Sequence, residues 1–199
     1  MAFELQRWSD DHWDGFANMH RDPEVMVDLG GPATTDASRQ KFESYRRAWE
    51  INSISRWAVV DCLSKRFLGY VGIMLRADPD HPLGRHHEIG WRFCRDAWGR
   101  GLAMAGARLA LDHAWLTLDV FEIVSYTAAD NLRSQDVMRR LGLRRDTNRD
   151  FTARYPGGDW TGLTWVAVRP RLERGMTFEL SGNHELRPPV RISRGKNRA

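Results

Sequence analysis

The chain has 199 residues, 42% of them hydrophobic and 28% charged, with a formal net charge of +4. That balance suits one soluble globular domain, and apolar runs no longer than Trp57-Ala58-Val59-Val60 exclude a bilayer-spanning segment. The charge is local: from Arg171 to Ala199 seven Lys/Arg face three Asp/Glu, so the preceding body is about neutral and gives no reason to expect a nucleic-acid partner.

In chain order, Phe3–Trp8 alternates as a first strand, and Ser9 caps a helix whose acidic start, Asp10-Asp11, suits the helix dipole. Asp22-Pro23-Glu24 reads as cap, first helical proline and a second short helix, broken by Leu29-Gly30-Gly31-Pro32. A longer helix starts at Thr35 or Asp36, places Phe42, Tyr45 and Trp49 on its inner side, and ends near Ser53. The period then changes to two. Strands are expected at Arg56–Asp61, Phe67–Leu75 and His87–Cys94, separated by a turn at Ser64-Lys65 and a loop over Asp78–Gly84. Gly69 and Gly72 inside the second of these mark a bulge or a close backbone approach.

Trp98-Gly99-Arg100-Gly101-Leu102-Ala103 then runs into a helix over Met104–Leu116, followed by a strand at Glu122–Thr127. Asn131-Leu132-Arg133-Ser134 opens another helix, closed at Leu141-Gly142 by a glycine in the position that favours a left-handed backbone. A hairpin of Leu143–Phe151 and Leu163–Val168, joined through Pro156-Gly157-Gly158, completes the body. Such an order predicts an α/β fold, a mixed sheet with helices on its faces. One domain is expected over residues 1–170, with residues 171–199 as a basic, solvated and flexible extension.

The Gly99-Arg100-Gly101 turn before a helix is the most informative local feature. Two glycines allow a tight turn and remove Cβ atoms between chain and ligand, so successive amides and the helix N-terminus can face a pyrophosphate, with Arg100 as an added cation. Alone, an ordinary tight turn explains it better. It is not a Walker loop, because no Gly-Lys-Ser/Thr follows.

Taken with Glu88-Ile89-Gly90-Trp91 before it and Asn131-Leu132-Arg133-Ser134…Val137-Met138…Leu141-Gly142-Leu143 after it, the chain resembles the GNAT acetyltransferases, and within them the RimJ/RimL-type branch. The resemblance covers Phe3 to Val168. Gly101 and Ala103 match the family's loop, while Trp98 replaces its leading Gln/Arg. It implies a mostly antiparallel twisted sheet, splayed between two middle strands, with acetyl-CoA as co-substrate and no metal. Pantetheine would lie along Trp91, Arg92, Phe93 and Cys94, the pyrophosphate on Trp98, Gly99, Arg100, Gly101, Leu102 and Ala103, and Asn131 would bond the coenzyme. A free N–H near Gly90 to Arg92 would polarise the thioester carbonyl.

The same resemblance makes Glu88 the candidate base, acting through water, and Ser134 the candidate acid for the leaving thiolate. The residues leave other readings open. Glu88 could instead pair with His86, Arg92 or another cation, and His87, on the opposite strand face, is an alternative base. Ser134 could simply cap its helix, with Tyr126 as a substitute acid. Trp57, Trp115 and Trp165 read as core, whereas Trp13, Trp49 and Trp160 fall in segments that wall the family's acceptor side. Cys62 and Cys94 read as buried packing in a reducing, cytoplasmic setting, and His81, His86 and His87 lack metal-ligand spacing.

The expected partners are acetyl-CoA and an amine: a protein or peptide N-terminus by the RimJ/RimL-type likeness, or a small amine such as an antibiotic, polyamine or amino acid. A homodimer stays open, and no membrane is expected. Two rivals of other classes are a non-catalytic acyl-CoA sensor and an RNA-associated protein acting through its basic tail.

Overall fold

The computed structural model describes residues 2–155 and 158–170; the expected extension after Arg171, and Pro156 and Gly157 of the hairpin turn, lie outside them. The strands are β1 (Phe3–Gln6), β2 (Arg56–Asp61), β3 (Phe67–Arg76), β4 (His86–Phe93), β5 (Glu122–Thr127), β6 (Arg144–Arg145), β7 (Phe151–Tyr155) and β8 (Gly158–Val168). The helices are α1 (Trp13–Arg21), α2 (Pro23–Met26), α3 (Thr35–Asn52), α4 (Leu102–Thr117) and α5 (Leu132–Arg140). One sheet runs in the order β1-β2-β3-β4-β5-β8-β6, with β7 pairing β8. Among the described residues only the β4–β5 pair is parallel; every other pair is antiparallel. This is the mixed, mostly antiparallel α/β sheet that the element order implies.

Helices cover both faces. On one, Phe16 of α1 and Tyr45 of α3 meet Tyr70 of β3, with ring centroids 5.9 and 5.3 Å apart. On the other, α4 lies so close to β3 that a Cβ on Gly106 would come within 2.7 Å of Val71. The core between these layers is apolar and aromatic, with Phe16, Phe42, Ile54, Leu68, Ile73, Ile89 and Ile123 fully buried.

Local chemistry sets the helix starts. The Asp22 side chain accepts from Glu24 N and Pro23 opens α2, while Thr34 accepts from Ala37 N and starts α3. Several expected boundaries move, among them the start of β8, at Gly158 instead of Leu163, and of α4, at Leu102 instead of Met104. β1 stops at Gln6 because Trp8 turns inward to donate its indole N–H to the Arg56 carbonyl at 2.7 Å. The acidic Asp10-Asp11 start forms a 3-10 turn before α1 begins at Trp13. The expected strand Leu143–Phe151 is split by a 3-10 turn at Thr147–Arg149, which Arg149 pins by pairing with both Glu122 and Asp146.

Candidate active site

β4 and β5 separate almost as soon as they meet. Their register holds one paired position, Glu88↔Val124, and the next link is a side chain, Ser125 Oγ donating to the Ile89 carbonyl at 2.9 Å. Along a strand, alternate residues point their backbone groups to alternate sides. Ile89 O faces β5 and Cys94 N donates to Leu68 O of β3, so Trp91 turns its N–H and carbonyl toward β5, where the strand has moved away. A cleft of about 1070 Å³ opens there, reached by Trp91, Arg92 and Phe93.

Its far wall is the loop into α4. Gly99 and Gly101 have φ of +71° and +74°, a left-handed backbone natural to glycine, and a Cβ on either would meet nothing within 4 Å. No side chain caps α4, so the amides of its first turn keep their bonding capacity at the mouth of the cleft. Trp98 ties the loop to the end of β4, its indole donating to Phe93 O at 2.9 Å, and the Arg133 guanidinium lies 4.5 Å over the Trp98 ring. Trp98, Gly99, Gly101, Leu102 and Ala103 all line the cleft. Arg100 and Cys94 are not among its lining residues. The Cys94 sulfur turns toward Phe67 O, and burial pushes its thiol up to about 11.

The third wall is the start of α5. Asn131 Oδ1 accepts from Ser134 N at 3.1 Å, so Asn131, not Ser134, caps this helix. The Ser134 hydroxyl is left without a hydrogen bond among the described residues, and Ser134 lines the cleft. The Asn131 amide also donates to Asp28 Oδ2 at 3.1 Å, and Asp28 takes both Nη atoms of Arg92, at 2.7 and 3.2 Å. Asp28, from the turn after α2, thus straps β4 to α5 across the cleft. This link spans 103 residues of sequence, so no local pattern announces it.

Glu88 occupies the paired end of the splay and is 6% exposed. Its Oε1 accepts from Arg56 Nη2 at 2.7 Å, and its Oε2 accepts from the Arg76 guanidinium, through Nε at 2.5 Å and through Nη2. Burial alone would raise its carboxyl; Arg56 and Arg76 instead bring it down to about 2. A glycine makes this clamp fit. Gly72 and Gly90 sit opposite each other, and a Cβ on Gly90 would come 2.5 Å from Arg56 Nη2 and 2.9 Å from Glu88 Oε1. His87 stands on the other strand face, half-buried, where burial lowers its ring below the usual histidine range.

Tyr126 joins an aromatic group with His81, His86, Phe151 and Trp160. Trp49 is core, donating to Arg56 O at 3.1 Å and packed on Trp57, while Trp13 carries Arg39 3.4 Å over its ring. Trp57 and Trp165 are buried as expected. Among the described residues no group of three His, Cys, Asp or Glu could hold a metal, and no helix is long and apolar enough to cross a membrane.

Residues 3–144 match the family model of the acetyltransferase (GNAT) domain. The chain is a GNAT acetyltransferase. Solved structures share its fold at low identity. An acetyltransferase from Agrobacterium tumefaciens superposes with a TM-score of 0.69 at 21% identity, covering 83% of this chain and 90% of that one. Spermidine N-acetyltransferase from Vibrio cholerae, in complex with CoA and spermine, gives 0.64 at 16% identity, covering 84% and 95%. RimL, a ribosomal L7/L12 alpha-N-protein acetyltransferase in complex with CoA, gives 0.64 at 12%, covering 84% and 94%. As an acetyltransferase of this family the chain uses acetyl-CoA. The family model establishes the family, the solved structures show the shared fold, and the RimJ/RimL-type branch stays one resemblance among several.

Proposed function

We propose that this chain transfers the acetyl group of acetyl-CoA to a primary α-amine, a protein or peptide N-terminus being the acceptor its RimJ/RimL-type resemblance favours. The observation that carries the reading is the splay of β4 from β5, with bare amides at the α4 start on one side and the Trp91 N–H on the other. In this reading the pyrophosphate sits on the amides from Gly99 to Ala103, and pantetheine fills the gap left by β5. The amine nitrogen attacks the thioester carbon, and the Trp91 N–H stabilises the charge on its oxygen. The C–S bond then breaks, and the nitrogen gives up its proton to solvent water at the mouth of the cleft. The thiolate takes up a proton from the Ser134 hydroxyl, which lines the cleft, and solvent returns a proton to Ser134.

Glu88 stands where the base is expected, but it enters our mechanism differently. A carboxylate held near 2 by two guanidiniums competes poorly for an ammonium proton, so its direct part is to hold Arg56 and Arg76. That is why an α-amine fits better than a lysine-type amine. Its reference pKa near ~8, against ~10.4 for lysine, leaves a working fraction neutral near pH 7 without a strong base.

The test is release of free thiol from acetyl-CoA across peptides, amino acids, polyamines and aminoglycosides, between pH 6 and 9. We expect α-amines to turn over with rates rising toward pH 8. Turnover confined to ω-amines would contradict the acceptor class. Tight coenzyme binding without turnover of any amine would instead identify a sensor module.

A further inference from the structure

The sheet face beneath α1 and α3 holds more positive charge than its carboxylates balance. Cross-strand register places Arg56, Tyr70, Arg76, His86, Glu88 and Arg92 together on that face, with Tyr70 opposite Arg92 and Arg76 opposite His86. Glu88 serves both Arg56 and Arg76, and Asp28 serves Arg92. Lys41 comes down on the same patch from α3. It stands one helical turn before Tyr45, whose hydroxyl accepts from Arg56 Nη1 at 3.1 Å and whose ring lies 5.3 Å from Tyr70. Among the described residues no carboxylate pairs with Lys41. Four cations therefore share two carboxylates, and the nearby His20 and His86 are both held neutral by burial.

The excess is felt by a neighbour. Burial alone would raise the Tyr70 phenol, yet Lys41, Arg92 and Arg56 bring it down to about 8. An interior patch with unmatched charge is costly unless a bound counter-ion completes it. The patch meets the coenzyme cleft at Arg92 and Asp28, which line it. An anion held here would stand one residue along β4 from the Trp91 N–H, away from the loop that takes the coenzyme's pyrophosphate.

We propose that the acceptor is an amine that carries a carboxylate, which Lys41 and the arginine patch hold while the amine faces the thioester. The inference rests on the acetyl transfer argued above and narrows its acceptor. It favours a free amino acid or a peptide with an acidic residue next to its N-terminus, two sources of the same chemistry, and it opposes polycations such as spermidine.

The experiment measures kcat/KM for free amino acids against their α-amides, for peptide amides with Asp or Glu at the second position against Asn or Gln, and for spermidine. Carboxylate acceptors should exceed their neutral counterparts by roughly 10- to 100-fold, the range of a hydrogen bond to a charged group. The acid-to-amide arm identifies a free amino acid, and the peptide arm an acidic N-terminus. Lys41→Met should collapse the favoured ratio toward one, and Lys41→Arg should keep most of it. Equal rates for acid and amide in both arms, a preference for spermidine, or an unchanged ratio in Lys41→Met would overturn the proposal. Calorimetry of the N-acetylated acids and their amides, with CoA present, reads the anion site without turnover. Preference for the acid there, in a protein that acetylates nothing, would keep the site and reject the transfer.

Discussion

Glu88→Gln separates a carboxylate that organises the site from one that takes protons. In the folded chain the Glu88 carboxyl falls from its ordinary 4.5 to about 2. At about 1.36 kcal/mol per tenfold, that drop is worth about 3 kcal/mol of stability. Because the folded value is the lower one, the contribution is complete above pH 4.5. It fades as pH falls, and is gone once the folded group protonates near 2. Gln keeps the shape but loses the charge, leaving Arg56 buried without its counter-ion, a loss of about 3–5 kcal/mol by precedent for broken buried pairs. For a chain of this size we expect Tm at pH 7 to fall by roughly 6–20 °C. Urea unfolding followed by tryptophan fluorescence from pH 8 to pH 2.5 should show a gap between wild type and variant that narrows below pH 4.5. Equal midpoints at pH 7, or a gap that stays constant into acid, would refute the clamp. If the rate at neutral pH fell a thousandfold while stability held, Glu88 would be the base after all.

Other variants test the remaining walls. Gly101→Val forces a branched side chain into a left-handed backbone, at about 1–2 kcal/mol, and presents it to the cleft, so calorimetry should show coenzyme affinity falling further than Tm predicts. Ser134→Ala should lower kcat without lowering Tm, because Asn131 makes the cap; Asn131→Ala should lower Tm by the loss of a cap worth about 0.5–2 kcal/mol and raise KM for the coenzyme as the Asp28 strap loosens. With its thiol pushed up by burial, Cys94 should resist iodoacetamide at pH 8 in the folded chain and react after unfolding, as peptide mass spectrometry would show.

What the sequence made legible was what is local. Helix and strand periods, the Asp22-Pro23 start and the glycines of the α4 loop each act within a few residues, so the sheet, its helices and the glycine turn into α4 could be anticipated from pattern and family likeness together. The meaning of Gly72 and Gly90 could not. Gly90 leaves room for an Arg56 side chain that crosses β3 to reach a carboxylate 32 residues away, and Gly72 for the backbone of Ser55 and Arg56 on β2. Pairing of Glu88 with a cation was among the readings the residues allowed, but Arg56 and Arg76 come from other strands. Asp28 escaped notice for the same reason, since its partners arrive from β4 and α5. The cap on α5 was ambiguous between Asn131 and Ser134 because both residue types cap helices, and the bond from Ser134 N to Asn131 Oδ1 decides it.

The most direct measurement is a crystal structure with acetyl-CoA bound. The account requires phosphate oxygens within hydrogen-bonding distance of the amides between Gly99 and Ala103, and a thioester oxygen facing the Trp91 N–H. Coenzyme bound elsewhere, or a gap closed by renewed pairing of β4 with β5, would contradict it.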